Sequence, residues 1–205
     1  LFFKKEACVK RLFDFVLALL LLVPVTIFVT ILSLLIWLVD GYSPFYPQQR
    51  LGRNGRAFWC FKLQTMRPAA QVSEIGEREK DVTRITRLGS IIRDHCWDEL
   101  PQIINVLIGV MSFAGPRPLL PKTYERIEVK NPRIGDRILE WRISRQLVPP
   151  GVSGWHQVQI GRRVSMIDCD LEYLSEPSFS KNLRIALTTF WVFFLGKARY
   201  NNKAG

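Results

Sequence analysis

The sequence predicts an α+β, mainly helical fold: a monotopic membrane protein with an N-terminal re-entrant helix-break-helix over residues 1–40, followed by a domain over residues 41–205 with a small β-hairpin and interfacial amphipathic helices. Three observations predict it. Phe15–Val39 contains no charged side chain, is interrupted by Pro24, and has basic residues on both flanks. Residues 56–66 carry the bulky side chains of a strand or hairpin. Two later stretches combine apolar residues at helical spacing with clustered Arg and Lys.

The apolar run is long enough to cross a bilayer core, which takes ~20 residues. It is too long for a signal peptide, and no small-residue cleavage site precedes Asp40. Pro24 removes one helix hydrogen bond, so a kink is expected there. The arms Phe15–Val23 and Val25–Val39 would be roughly 13 and 22 Å long, each shorter than a ~30 Å core. Lys4, Lys5, Lys10 and Arg11 precede the run, and Arg50, Arg53 and Arg56 follow it. Basic flanks prefer the cytoplasmic side. A re-entrant hairpin satisfies both flanks, whereas a kinked spanning helix satisfies one.

Beyond Asp40, Gly41, Pro44 and Pro47 mark a turn out of the membrane. Residues 67–82 are polar and predict an exposed loop. A helix is expected from about Arg84 to Arg93, and another from Asp98, its expected N-cap, to about Leu107. Ile134, Ile138, Trp141 and Arg145 recur at helical spacing, with Arg133, Arg137 and Arg142 on other faces. That pattern fits a helix on a membrane surface and equally one packed on a protein core. Leu183–Leu195 reads as an apolar helix suited to an interface, with Lys197, Arg199 and Tyr200 after it.

A formal net charge of +11 calls for a polyanionic partner: nucleic acid, anionic lipid or a phosphate-rich substrate. No nucleic-acid recognition motif accompanies it. Cys8, Cys60, Cys96 and Cys169 are scattered without a C-x-x-C pair, which argues against a zinc site or a disulfide framework and for reduced thiols. His95 and His156 are too far apart in sequence to suggest a metal site.

The chemistry concentrates in R-L-G-S-I-I-R-D-H-C-W-D-E-L-P-Q and G-V-M-S-F-A-G-P-R-P. Adjacent acids at a helix start, Asp98 and Glu99, commonly serve as caps. A carboxylate there can also bind Mg²⁺ and attack phosphorus, and a helix N-terminus helps hold phosphate. Pro116 and Pro118 fix the backbone on either side of Arg117, a guanidinium suited to bidentate phosphate binding. Arg93 and Lys62 add further positive charge. One nucleophile, one metal and several cations describe a diphosphate site, where positioning and charge neutralisation do most of the catalysis.

At these residues the chain resembles the bacterial sugar transferases, the small monotopic polyprenyl-phosphate phosphoglycosyl transferases. The resemblance runs from Lys10 to about Thr189. It is carried by K-R-L-F-D, Q-R-L-G-R-N-G, F-K-L-Q-T-M, T-R-L-G-S-I-I-R, D-E-L-P-Q-I-I-N-V-L, M-S-F-A-G-P-R-P-L and P-G-V-S-G-W, in that order. It implies a re-entrant helix broken at Pro24, a catalytic domain on the cytoplasmic face of the bacterial inner membrane, and Mg²⁺ dependence. By resemblance Asp98 is the nucleophile and a metal ligand, and Glu99 assists it. Lys62, Arg93, Arg117 and Gln157 would bind phosphate or substrate. The implied partners are a UDP-sugar, polyprenyl phosphate and membrane lipids, with no nucleic acid. The implied reaction passes sugar 1-phosphate through an aspartyl intermediate, as the first membrane step of bacterial glycoconjugate assembly. The chain departs from the family pattern at Val23 (usually Ser), Gln64 (usually basic), Val110 (usually Asp) and His156 (usually Ala). The alternative function is a non-catalytic membrane anchor for anionic lipid or a partner protein, which would not need Asp98 or Arg117.

Overall fold

A computed structural model of the chain describes residues 2–68, 84–130, 134–159, 165–175 and 178–197. Most of the 67–82 loop, Arg133, Arg199 and Tyr200 lie outside them. The described fold is mainly helical, with two two-stranded sheets. Helix α1, Phe2–Asp40, leads into the antiparallel hairpin of β1 (Phe45–Leu51) and β2 (Ala57–Leu63). Then come α2 (Arg87–Asp94), a 3-10 segment at Trp97–Gln102, α3 (Ile103–Leu107) and β3 (Ser112–Ala114). Helices α4 (Pro121–Lys130) and α5 (Gly135–Gln146) precede β4 (Gly151–Ser153), which pairs in parallel with β3. Helices α6 (Trp155–Val158), α7 (Met166–Ser175) and α8 (Phe179–Leu195) complete the described chain.

Helix α1 is continuous through Pro24, so the expected division into two separate arms is corrected. One proline deletes a single backbone hydrogen bond. The turns on both sides are held by packing: Ala18, Leu22 and Val25 against Ile103 and Val106, and Val29, Leu32 and Ile36 against Leu63 and Ile92. The helix is about 58 Å long at ~1.5 Å per residue, nearly twice a bilayer core. Among the described residues it is the one helix long and apolar enough to cross a membrane.

The globular part grips α1 at both ends. Near the start, Lys10 Nζ donates to the Ala114 carbonyl (2.6 Å), and Arg11 donates to the carbonyls of Val106 (2.6 Å) and Leu107 (2.7 Å) at the end of α3. Asp14 is buried and accepts from Ser112 Oγ (2.7 Å) and the Phe113 amide (3.3 Å). At the far end Asp40 accepts from Thr86 Oγ1 (3.0 Å), whose oxygen also caps α2 by accepting from the Gly89 amide (2.8 Å). The opposite face, including Leu20, Val23, Ile27, Ile31, Leu34 and Trp37, is exposed. One stripe of α1 therefore belongs to the protein core, and the other is an apolar surface without a protein partner among the described residues.

The expected hairpin forms, but its first strand lies before residues 56–66. Pro44 and Pro47 marked a turn, yet Pro47 lies inside β1 opposite Phe61. Proline is tolerated on an edge strand, where its missing N–H faces away from the ladder. Helix α5 packs on the core: Ile138, Trp141 and Arg145 are buried against α4 and α7, although Ile134 is exposed. The expected second helix begins differently. Cys96 is the N-cap, in the left-handed region at φ 58°, and Asp98 falls inside the first turn. A non-glycine residue there is uncommon, and it lets α2 end and the acidic turn reverse within a few residues.

Candidate functional site

Four separated segments converge on the acidic turn. Glu99 is buried and bonded from two directions. Lys62 Nζ, on β2, donates to its Oε1 at 2.7 Å. Arg117 forms a forked pair, with Nη1 3.4 Å from Oε2 and Nη2 close to Oε1. Burial disfavours the Glu99 charge, but the two cations outweigh it and hold its pKa at about 2. Glu99 in turn raises the pKa of Arg117, so both stay ionised.

Asp98 sits differently. Among the described residues it has no direct ion pair. Burial and then the neighbouring Glu99 charge push its pKa above the ordinary carboxylate value, against the pull of Lys62, Arg93 and Lys197. Two adjacent acids thus have opposite environments: one neutralised in place, the other exposed to an unbalanced field.

The loop bearing Arg117 is built by close backbone contact. A Cβ at Gly151 would meet the Gly115 amide nitrogen at 2.2 Å, and one at Gly115 would meet the Gly151 nitrogen at 2.9 Å. Only glycine permits β3 and β4 to cross so closely. The Gly151 amide donates to the Pro116 carbonyl (3.0 Å), and Arg50 Nη1 donates to the Pro118 carbonyl (3.2 Å). Arg145 donates to the carbonyl of Arg117 itself and pairs with Asp170, which also accepts from Trp141 Nε1 at 2.9 Å. The G-P-R-P and P-G-V-S-G-W motifs therefore form one interlocked unit.

A cavity of about 580 Å³ opens beside this unit. Glu99, Arg117 and Gln157 line it, and Leu21 and Val25 of α1, flanking Pro24, form an apolar wall with Val192 and Phe193 of α8. Asp98, Lys62 and Arg93 are not among the lining residues. Lys62 stands behind Glu99. Arg93 is exposed and reaches Thr65 Oγ1 at 3.5 Å. The amide oxygen of Gln157 accepts from the Gly154 amide (2.8 Å) at the start of α6. Of the family departures, Gln64 is buried with its amide on the Met66 carbonyl, Val110 packs beside Ile103 and Met111, and His156 lines the cavity.

Sequence reasoning missed Lys197, which lines the cavity, and the Arg145–Asp170 pair behind Arg117. An arginine on the same helical stripe as Ile138 and Trp141 was the available signal, because a buried guanidinium requires a counter-charge.

A buried acid bonded by lysine and arginine, an adjoining raised-pKa aspartate, and a cavity walled by a long apolar helix make up one charged site beside α1. A sequence model described as bacterial sugar transferase matches residues 5–196. The chain belongs to that family. It is 29% identical to the UDP-glucose:undecaprenyl-phosphate glucose-1-phosphate transferase of Escherichia coli (strain K12), over 93% of this chain and 41% of that protein. It is 32% identical to the uncharacterized sugar transferase EpsL of Bacillus subtilis (strain 168), over 88% of this chain and 84% of that protein. Identity to the exopolysaccharide production protein ExoY of Sinorhizobium fredii is 30%, over 93% of this chain and 88% of that protein. The chain spans well under half of the E. coli relative and less still, 30%, of a Xanthomonas campestris relative of the same name.

Proposed function

We propose that this chain moves a sugar 1-phosphate from a UDP-sugar to polyprenyl phosphate, with release of UMP. The observation that carries this reading is the asymmetry of the acidic turn: Lys62 and Arg117 neutralise Glu99, while Asp98 keeps an unpaired carboxylate beside the same cations. Family membership and the names of the relatives support the reaction class.

In the first step an Asp98 oxygen attacks the sugar-side phosphorus. The bond from that phosphorus to the bridging oxygen breaks, and its electron pair leaves with UMP. In the second step a phosphate oxygen of the lipid attacks the same phosphorus, the Asp98 ester bond breaks, and the carboxylate is restored. Arg117 and Arg93 hold phosphate oxygens during both displacements. Lys62 and Glu99 keep Arg117 in place, and Gln157 orients the α6 side of the cavity. The acidic turn offers the adjacent carboxylates of Asp98 and Glu99, and Mg²⁺ characteristically uses one or two carboxylates together with substrate phosphates and water. Asp98, with Glu99 adjacent, would hold the ion, which neutralises diphosphate charge when bound.

The same reading places the unpartnered stripe of α1 in lipid. Both ends of α1 are tied to one globular unit, through Arg11 and Asp14 at one end and Asp40 at the other. A straight crossing would force the globular unit held at both ends into or across the hydrocarbon. This supports a monotopic seat, and the basic flanks support the cytoplasmic face of the inner membrane.

Two measurements test the reaction. UMP release is followed across a panel of UDP-sugars with polyprenyl phosphate and Mg²⁺, with and without chelator. Intact-mass spectrometry after donor alone should show a phosphosugar adduct on the wild type. Full turnover with no adduct would refute the covalent step, and no UMP with any donor would refute the function.

A further inference from the structure

Helix α8 brings one more cation to the site from outside the family match, which stops at residue 196. Lys197 lines the same cavity as Glu99 and Arg117. Its ammonium donates to the Arg93 carbonyl at 3.0 Å and contacts the Cys96 thiol, leaving capacity for a third acceptor.

Its position is built by contacts around the acidic turn. Trp97 Nε1 donates to the Phe193 carbonyl (3.1 Å), docking the end of α8 beside Asp98. The Trp97 ring meets Phe28 of α1 edge-on at 5.1 Å and stacks on His95 at 4.5 Å. Gly196 has φ +76°, and a Cβ there would lie 2.2 Å from Asp94 Oδ2, so the residue before Lys197 has one narrow fit.

Charge accounting gives this lysine a task. Lys62 and Arg117 are already committed to Glu99. Arg117 shares its charge with Glu99, so an arriving phosphate gains from a further positive group, and Lys197 supplies one on the wall of the same cavity. We propose that Lys197 is a substrate-binding residue that donates to a phosphate oxygen in the cavity. The shared chemistry is a phosphate monoanion or dianion, from either the donor diphosphate or the lipid acceptor. This rests on the transferase reading given above.

The test uses the full chain in nanodiscs and the variants Lys197→Gln and Lys197→Arg. Arg142→Gln, an exposed cation on α5 paired with Glu128, controls for loss of charge. Calorimetry with Mg²⁺-pyrophosphate reads anion binding independently of turnover. Lys197→Gln should weaken it about tenfold, the loss of one charge-assisted hydrogen bond, while Lys197→Arg and Arg142→Gln stay near wild type. In turnover, KM should rise about tenfold with kcat nearly unchanged. A rise for the UDP-sugar assigns Lys197 to the donor, and a rise for polyprenyl phosphate assigns it to the acceptor. Unchanged pyrophosphate affinity and unchanged KM for both substrates in Lys197→Gln would overturn the proposal. So would equal losses in both variants with a lowered Tm, which would make Lys197 a tether for α2 only. Pyrophosphate binding that depends on Lys197 in a protein releasing no UMP would keep this inference and reject the transferase reading.

Discussion

The two sides of the acidic turn make opposite use of the same chemical group. On the Glu99 side the carboxylate is saturated, with lysine from the hairpin and arginine from the G-P-R-P loop both bonded to it. On the Asp98 side the cations act through space, and burial raises the proton affinity of the acid. Charge satisfaction makes Glu99 a structural bracket. Its lack leaves Asp98 with a raised proton affinity. Adjacent residues in one 3-10 turn can diverge this way because the turn points them at different elements.

The largest effect expected from breaking this contrast is on turnover. Asp98→Asn should cut transfer by about 10³-fold or more, as for loss of a nucleophile. Its stability should move the other way. A raised folded pKa means that ionisation of Asp98 works against folding as pH rises through that pKa. The Asn variant should therefore melt at or above wild type at pH 7. A calorimetric scan showing clear destabilisation would contradict the assigned asymmetry.

Next is the support behind Arg117. Arg145 and Asp170 are both almost fully buried. Asp170→Ala leaves that guanidinium without its counter-ion and should cost about 4 kcal/mol in urea unfolding. Glu99→Gln should cost somewhat less, about 3 kcal/mol, because Arg117 keeps partial access to water. Glu99 also sets an acid limit. Its folded pKa of about 2 lies below the ordinary 4.5, so its contribution is present above that ordinary value and is lost as pH falls from 4.5 towards 2. Tm against pH should show that slope in wild type and a flatter one in Glu99→Gln.

The smallest effect sharpens the role of shape. Arg117→Lys keeps the charge on Glu99 but loses the fork, so stability should hold while kcat/KM for the donor falls about tenfold. An equal fall in stability would return Arg117 to a purely structural role.

The sequence made some of this legible and hid the rest for physical reasons. Uncharged length exposed α1, and alternating bulk exposed β2. Pro47 concealed β1, since proline argues against a strand unless the strand is known to be an edge. Strands β3 and β4 have three residues each and pair across a long interval, so periodicity has nothing to register. Asp98, Glu99, Arg117 and Lys62 were legible as a charge constellation, and Glu99's two partners follow from it. Cys96 in the left-handed region and Lys197 at the cavity were not, because each depends on how distant backbones meet. The continuous path of α1 through Pro24 likewise reflects packing on both flanks that no local propensity records.

Asn105 fixes the alignment on which the bracket depends. Its side chain is buried, accepting from the Phe61 amide (3.3 Å) and donating to the Trp59 carbonyl (2.7 Å). A single carboxamide thus plays the part of a neighbouring strand and seals the open margin of β2 against recruitment of another chain. It also pins the strand lengthwise. Slippage by one position would invert every side chain and swing Lys62 to the far face, leaving Glu99 opposite a leucine or a phenylalanine.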